Sequence, residues 1–358
     1  MKRRSLTGLA LAIAFGMTVA ACGDDSSSSS TTTGAAGPTT ASTESVTLRL
    51  GYFPNITHAP ALVGLQDGIF ANALGANVKL ETKSFDAGPE AVEALFSGAI
   101  DATFIGPNPA INAFVKSKGK AIRIVSGTTS GGAYFVVKPE ISGATDLEGK
   151  KIASPQLGGT QDVALRSWLK EQGLESNTSG GGDVSIVPQA NADTLTAFKA
   201  GDIAGAWVPE PWATRLIQEG GGKVLIDEKT LWPQGKYVTT HLIVDTKFLA
   251  KHPDTIKKLL AGLADSVDAI AADPVKAQAS ANAAINAATG KPLKDEVITA
   301  AFKNLEFTLD PIASSLEKSA KDAEAVGLLD SAGLKGIYDL KLLNEVLKER
   351  GKPAATGF

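Results

Sequence analysis

From Val46 onward, short β-rich runs alternate with segments whose apolar residues recur at helical spacing. VTLRLGYF (46–53) precedes a helical pattern over 60–68, VKLETKSF (78–85) one over 89–97, and ATFIG (102–106) one over 109–118; IRIVSG (122–127) closes the series. Such alternation predicts an α/β unit, a mostly parallel sheet with helices on its faces. A second series follows: AYFVVK, KIAS, a helix over 160–172, VSIVPQ, a helix over 192–200, IAGAWV, a helix over 211–219, KVLID and YVTTHLIVD. It predicts a second unit of the same class. Ile256, Leu259, Leu260, Leu263, Val267 and Ile270 then lie on one stripe of an amphipathic helix that ends before Asp273-Pro274. The remainder reads as helical with no strand of its own, so it should pack on the first unit and leave the middle segment as an inserted lobe. The expected division is 46–132 for the first part of lobe 1, 133–236 for lobe 2, and 237–358 for the return and the carboxy-terminal helices. Gly131-Gly132 and Gln234-Gly235 are the candidate hinges.

The first 45 residues follow neither pattern. Lys2, Arg3 and Arg4 precede an apolar run over 9–15 and 17–19, and then come Ala20, Ala21 and Cys22, the layout of a secretory signal over 1–21. Val19-Ala20-Ala21-Cys22 resembles the lipobox of bacterial lipoproteins, which implies that a lipidated Cys22 tethers the mature chain to the outer face of the cell membrane. Residues 23–45, GDDSSSSSTTTGAAGPTTASTES, have no aromatic residue, so the expectation is a disordered Ser/Thr linker between anchor and body.

Composition narrows the function classes. With 358 residues, 43% hydrophobic and 20% charged, the chain has the makings of about two ordinary folded domains. Three of its 35 basic residues, and none of its 38 acidic ones, fall within 1–21, so the mature part carries a net charge of −6 rather than −3. Nucleic acid thereby loses its electrostatic argument. One cysteine permits no internal disulfide, and three scattered histidines give no local zinc spacing; no metal or cofactor is expected. Gly127-Thr128-Thr129-Ser130-Gly131 has its serine one place late for a nucleophile elbow, and Gly180 to Gly182 lack the GK[ST] of a phosphate loop.

The informative feature is a set of four corners where an apolar strand ends in a polar turn followed directly by a helix. They are Gly51-Tyr52-Phe53-Pro54-Asn55-Ile56-Thr57-His58-Ala59-Pro60, Gly106-Pro107-Asn108-Pro109, Pro155-Gln156-Leu157-Gly158-Gly159-Thr160-Gln161-Asp162, and Trp207-Val208-Pro209-Glu210-Pro211-Trp212. Pro109 and Pro211 suit the first helical position, and Asn108 and Thr160 have N-cap side chains. Turn and cap chemistry alone would favour such residues. In an open α/β sheet, however, these corners gather where ligands bind, and each helix start offers N–H donors and about half a positive charge. Several converging starts can hold an anion without lysine or arginine, and none of the four corners contains either. Ser126 to Gly132 adds hydroxyls and amides at the same expected cleft. Trp207 and Trp212 are read either as core or as an aromatic wall for a ligand's apolar part; Trp168 reads as core.

These segments resemble the periplasmic binding protein components of ABC importers for aliphatic sulfonates, taurine and nitrate. The similarity rests on GYFPNITHAPALVG, FIGPNPA, SGTTSGGA, QLGGTQDVALR and GAWVPEPWATRL, in order and spacing, and spans roughly 46–350. The resemblance implies the type II two-lobed fold and a monomeric, extracytoplasmic receptor whose lobes close about a hinge over a small anionic substrate. It also implies delivery to an ABC permease with a cytoplasmic ATPase. By match to motif it places Asn55, Thr57, His58, Asn108, Ser130, Gly131, Thr160, Gln161, Glu210 and Trp212 at or near the ligand.

Asp162 and Glu210 bring negative charge to corners expected to hold an oxyanion. Three readings stand: Arg166 and Arg215 neutralise them, the ligand carries an ammonium as taurine does, or the acids complement the helix starts and face solvent. The preferred function is non-catalytic capture of an aliphatic sulfonate or taurine-like compound. Receptors for nitrate or a thiamine-pyrimidine precursor are the alternatives, with nitrate disfavoured by the aromatic pair. Pyrimidine synthases sharing this fold use a cysteine-rich motif, and the single cysteine of this chain argues against that enzyme class.

Overall fold

The runs rich in β-branched, aliphatic and aromatic residues form eleven strands among the residues described, 45–330 and 333–358 of a computed structural model. The expected signal, the Cys22 tether and nearly all of the linker lie outside the described residues. The strands are β1 (Val46–Tyr52), β2 (Val78–Ser84), β3 (Ala102–Ile105), β4 (Ile122–Gly131), β5 (Ala133–Val137), β6 (Lys151–Ser154), β7 (Ser185–Pro188), β8 (Gly205–Pro209), β9 (Lys223–Asp227), β10 (Val238–Asp245) and β11 (Leu305–Phe307). Between them lie α1 (Ala59–Gln66), α2 (Ile69–Leu74), α3 (Gly88–Phe96), α4 (Pro107–Lys116), α5 (Thr160–Glu171), α6 (Asn191–Ala200) and α7 (Trp212–Gln218). The carboxy-terminal third adds α8 (Thr246–Lys251), α9 (Pro253–Ala272), α10 (Pro274–Thr289), α11 (Asp295–Phe302), α12 (Ala313–Ala325) and α13 (Lys341–Glu349).

Two helix-flanked sheets result, with strand orders β11-β4-β10-β3-β1-β2 and β7-β6-β8-β5-β9. Parallel pairing holds where the βαβ pattern is unbroken, for β1 with β2 and β3 and for β6 with β7 and β8. Elsewhere pairing is antiparallel, β10 against β3 and β4, β11 against β4, and β5 against β8 and β9. Each sheet is therefore mixed rather than mostly parallel. The strands entering and leaving the middle segment run against their neighbours, yet β5 is buried throughout and β10 almost so, and a continuous apolar run looks the same in either sense.

The chain leaves the six-stranded sheet at Gly131-Gly132 and re-enters it after Gln234-Gly235. Gly131 and Gly132 have φ of +80° and +74°, and a Cβ on Gly132 would stand 2.1 Å from a Leu305 methyl, so both the turn and the close approach require glycine. The amphipathic stripe of α9 packs as the spacing predicts: Ile256, Leu259, Leu260 and Leu263 are fully buried in one cluster with Leu48 and Leu50 of β1 and Leu343 of α13. The third is not all-helical, because β11 pairs Leu305 with Gly131 and Phe307 with Thr129 along the free edge of β4. A three-residue strand is too short to show a period of two. In the same third, α12 touches both α4 and α5, one helix from each sheet's unit.

Candidate functional site

Six strands, β1, β2, β3, β6, β7 and β8, end in corners that face a cavity of about 40 Å³ between the two sheets' units. Its lining includes Asn55, Thr57 and His58 after β1, Asp86 to Gly88 after β2, and Gly106 and Pro109 after β3. The other unit adds Pro155, Gln156 and Gly159 to Gln161 after β6, Asn191 after β7, and Pro209 of β8, with Thr239 of β10 between them. Among the described residues lining it there is no lysine or arginine.

The helix starts differ in detail from the sequence reading. α5 begins at Thr160 with Gly159 as its N-cap, so Thr160 and Gln161 bring the unpaired N–H groups of a first turn to the cavity. α4 begins at Pro107, not Pro109, and Gly106 rather than Asn108 is the cap. With proline at the first and third positions, Asn108 alone can offer a first-turn N–H. Pro211 is the N-cap of α7 rather than its first residue.

His58 is buried, stacked on Phe53 at 4.4 Å, and its Nδ1 accepts the Phe53 N–H at 3.3 Å. Burial pushes its pKa down to about 3, so it is a neutral imidazole whose Nε2 carries the proton. It can donate a hydrogen bond but supplies no charge.

Five of the residues assigned by motif, Asn55, Thr57, His58, Thr160 and Gln161, come together on this cavity. The others stand apart from its lining. The Asn108 side-chain amide donates to the Ser319 carbonyl at 3.0 Å. Ser130 and Gly131 are paired within β4, and the Gly131 carbonyl accepts the Thr239 hydroxyl. Glu210 is turned away: its buried carboxylate accepts from the Thr214 N–H and hydroxyl at 3.1 and 2.9 Å and from the Asn304 amide at 2.7 Å. Burial raises its pKa and these three bonds oppose the rise. Trp212 lines an adjoining cleft of about 580 Å³, and its Nε1 donates to Asn55 Oδ1 at 3.0 Å, a bond between the two units.

Of the three readings for the acids, Arg166 does neutralise Asp162, with Nε 2.9 Å from Oδ2 and both side chains buried. Ser154 and the Gly158 N–H complete the Asp162 shell at 2.7 and 3.0 Å. Arg215 does not neutralise Glu210. It pairs with Glu219 at 2.8 Å and lies over the Trp212 ring at 4.7 Å.

Trp207 is core and not a cleft wall, fully buried and stacked on Phe135 at 5.4 Å. Both faces of β8 are covered, so alternation along the strand could not tell cleft from core. Its Nε1 donates to Glu228 Oε2 at 2.7 Å, and burial pushes the Glu228 pKa up to about 7 against the opposing pull of that bond. The folded state thus holds this proton more tightly than the unfolded chain, where the carboxyl titrates near 4.5. The associated stability is complete below the unfolded value and is lost as the pH climbs through 7. Glu228→Gln should therefore be more stable than the parent at pH 8 by roughly 3 kcal/mol and nearly equal to it at pH 4.5, as read from thermal melts at the two pH values.

Sequence reasoning missed Asp86 and Asn191. Both sit at corners of the same kind, Phe85-Asp86-Ala87-Gly88-Pro89 and Gln189-Ala190-Asn191, and the strand-to-helix junction was the signal that could have found them.

Residues 41–286 match the model of the NMT1-like family. The chain belongs to that family. It is 31% identical over 215 residues to the taurine-binding periplasmic protein of Escherichia coli (strain K12), covering 60% of this chain and 64% of that one, less than two thirds of its length. Among solved structures, this NMT1-like chain is similar to the alkanesulfonate-binding protein SsuA from Xanthomonas axonopodis pv. citri bound to MOPS, with a TM-score of 0.66 at 19% identity over 80% of this chain and 96% of that one. It is similar also to the periplasmic nitrate-binding protein NrtA from Synechocystis PCC 6803, with a TM-score of 0.69 at 15% identity over 88% and 92% of the two chains. The fold is that of the periplasmic binding proteins.

Proposed function

We propose that this NMT1-like protein is the extracytoplasmic solute-binding receptor of an ABC importer, tethered through Cys22. Closure of its two lobes captures a small organic anion, an aliphatic sulfonate or taurine-like compound, for a permease driven by a cytoplasmic ATPase. The observation that carries the reading is the cavity where corners of both units meet, lined by amides, hydroxyls and helix starts, with no lysine or arginine in its lining. The names of the taurine-, alkanesulfonate- and nitrate-binding relatives favour the same class. Thr57, Thr160, Gln161, the Asn55 amide and the His58 Nε2–H are the donors in this reading.

Receptors for a compact oxyanion such as nitrate are the second reading, and the 40 Å³ volume favours it. The aromatic argument against nitrate weakens once Trp207 is in the core. A thermal-shift and tryptophan-fluorescence panel of taurine, alkanesulfonates, nitrate, bicarbonate, sulfate and pyrimidine precursors tests the proposal. A micromolar ligand, about −8 kcal/mol, should raise the melting temperature and perturb Trp212, whose indole N–H spans the two units. Silence across the panel would remove the receptor assignment for these substrates.

A further inference from the structure

Three acceptors in the cavity lining have no hydrogen-bond partner among the described residues. Asn191, at the first position of α6, is 7% exposed, and its Oδ1 is buried with no hydrogen-bond partner. Gln156 Oε1, also buried, is without a partner as well. Both residues line the cavity together with Asp86, whose carboxylate makes no hydrogen bond or ion pair among the described residues. Two unpaired amide oxygens and one carboxylate are acceptors only, and the two buried amide oxygens cost free energy until a donor arrives. No lysine or arginine in the lining supplies that donor; in the adjoining cleft, which Asp86 and Asn191 also line, Arg215 is committed to Glu219 and Lys291 makes no ion pair with Asp86 among the described residues. In the same lining, Thr160 and Gln161 present the first-turn N–H groups of α5, which suit an oxyanion.

We infer that the ligand is a compact zwitterion, its oxyanion at the start of α5 and its ammonium held by Asp86 with the Asn191 and Gln156 amide oxygens, and that Asp86 is the residue selecting amino-substituted anions over simple ones. This rests on the receptor reading above and narrows it. Purely anionic ligands would place a negative charge beside an uncompensated carboxylate, whereas an ammonium turns the same carboxylate into a charge-assisted hydrogen-bond partner.

Calorimetric titration of the full mature chain with taurine, isethionate, which has a hydroxyl in place of the ammonium, and ethanesulfonate tests it, with nitrate and bicarbonate as further probes. Taurine should bind at least ~30-fold more tightly than isethionate, the range of a hydrogen bond to a charged group. In Asp86→Asn that ratio should fall to within about threefold, through weaker taurine binding, with the melting temperature of the ligand-free protein unchanged because Asp86 is exposed. Equal affinity of the parent for taurine and isethionate, an unaltered ratio in the variant, or binding of nitrate or bicarbonate alone would overturn the inference and leave an anion receptor standing. No binding of any probe would overturn both.

Discussion

Gly106→Leu is expected to weaken ligand binding by at least ~100-fold while the ligand-free protein melts within a few degrees of the parent. Gly106 caps α4 in one unit with φ of −70°, a conformation any residue adopts, so the backbone itself tolerates a side chain. The obstacle is in the other unit. A Cβ at this position would stand 2.3 Å from Thr160 Oγ1 and 3.4 Å from Thr160 Cβ, with the Thr239 carbonyl oxygen 3.7 Å away. Alanine can be accommodated by rotation of the threonine hydroxyl, so Gly106→Ala should show a smaller loss. Leucine cannot, and should act as a wedge that holds the units apart where the start of α5 lines the cavity. Separation costs the fold little because only packing across the cleft is given up, but the ligand is deprived of one whole set of donors. Titration by intrinsic fluorescence reads the effect, and parental affinity in the leucine variant would show that closure at this point is not required.

Asp162→Ala is expected to destabilise the protein by roughly 3–5 kcal/mol, about 10 °C in melting temperature. The exposure of Arg166 and Asp162 is 2% and 0%, and removing the carboxylate leaves a guanidinium charge buried without its partner. Ser154 and the Gly158 N–H lose their acceptor at the same stroke, so the loop that leads into α5 loosens and ligand affinity should fall as well. Arg166→Met in addition should restore part of the stability, since an apolar side chain of similar length needs no counter-charge. Thermal and urea unfolding measure both; a loss below ~1 kcal/mol in the single variant would mean that water reaches the guanidinium and replaces the carboxylate.

What was legible in the sequence was local. Strands such as Lys151–Ser154 and Lys223–Asp227 follow from their β-branched and aliphatic residues, and α9 follows from its stripe. Helix starts slipped by one or two residues because proline is compatible with both the first and third positions of α4, and because Gly159 can cap as well as threonine can. Pairings that join distant segments left no local trace. The short β11 on the edge of β4, the antiparallel insertion of β10 between β3 and β4, and Asn304 reaching Glu210 across 94 residues all depend on tertiary placement. In the candidate site the corners after β1, β3, β6 and β8 were readable from their polar turns and helix starts. Asp86 and Asn191 were not picked out, because their strand-to-helix junctions resemble ordinary turns and only the folded chain brings them to one cavity.

A crystal structure at saturating taurine tests the central claim most directly. Electron density is expected between the two units, with sulfonate oxygens within hydrogen-bond distance of the Thr160 and Gln161 N–H groups and no lysine or arginine nitrogen within about 4 Å of them. Density seated outside this cavity, or a sulfonate paired with a lysine or arginine, would contradict it.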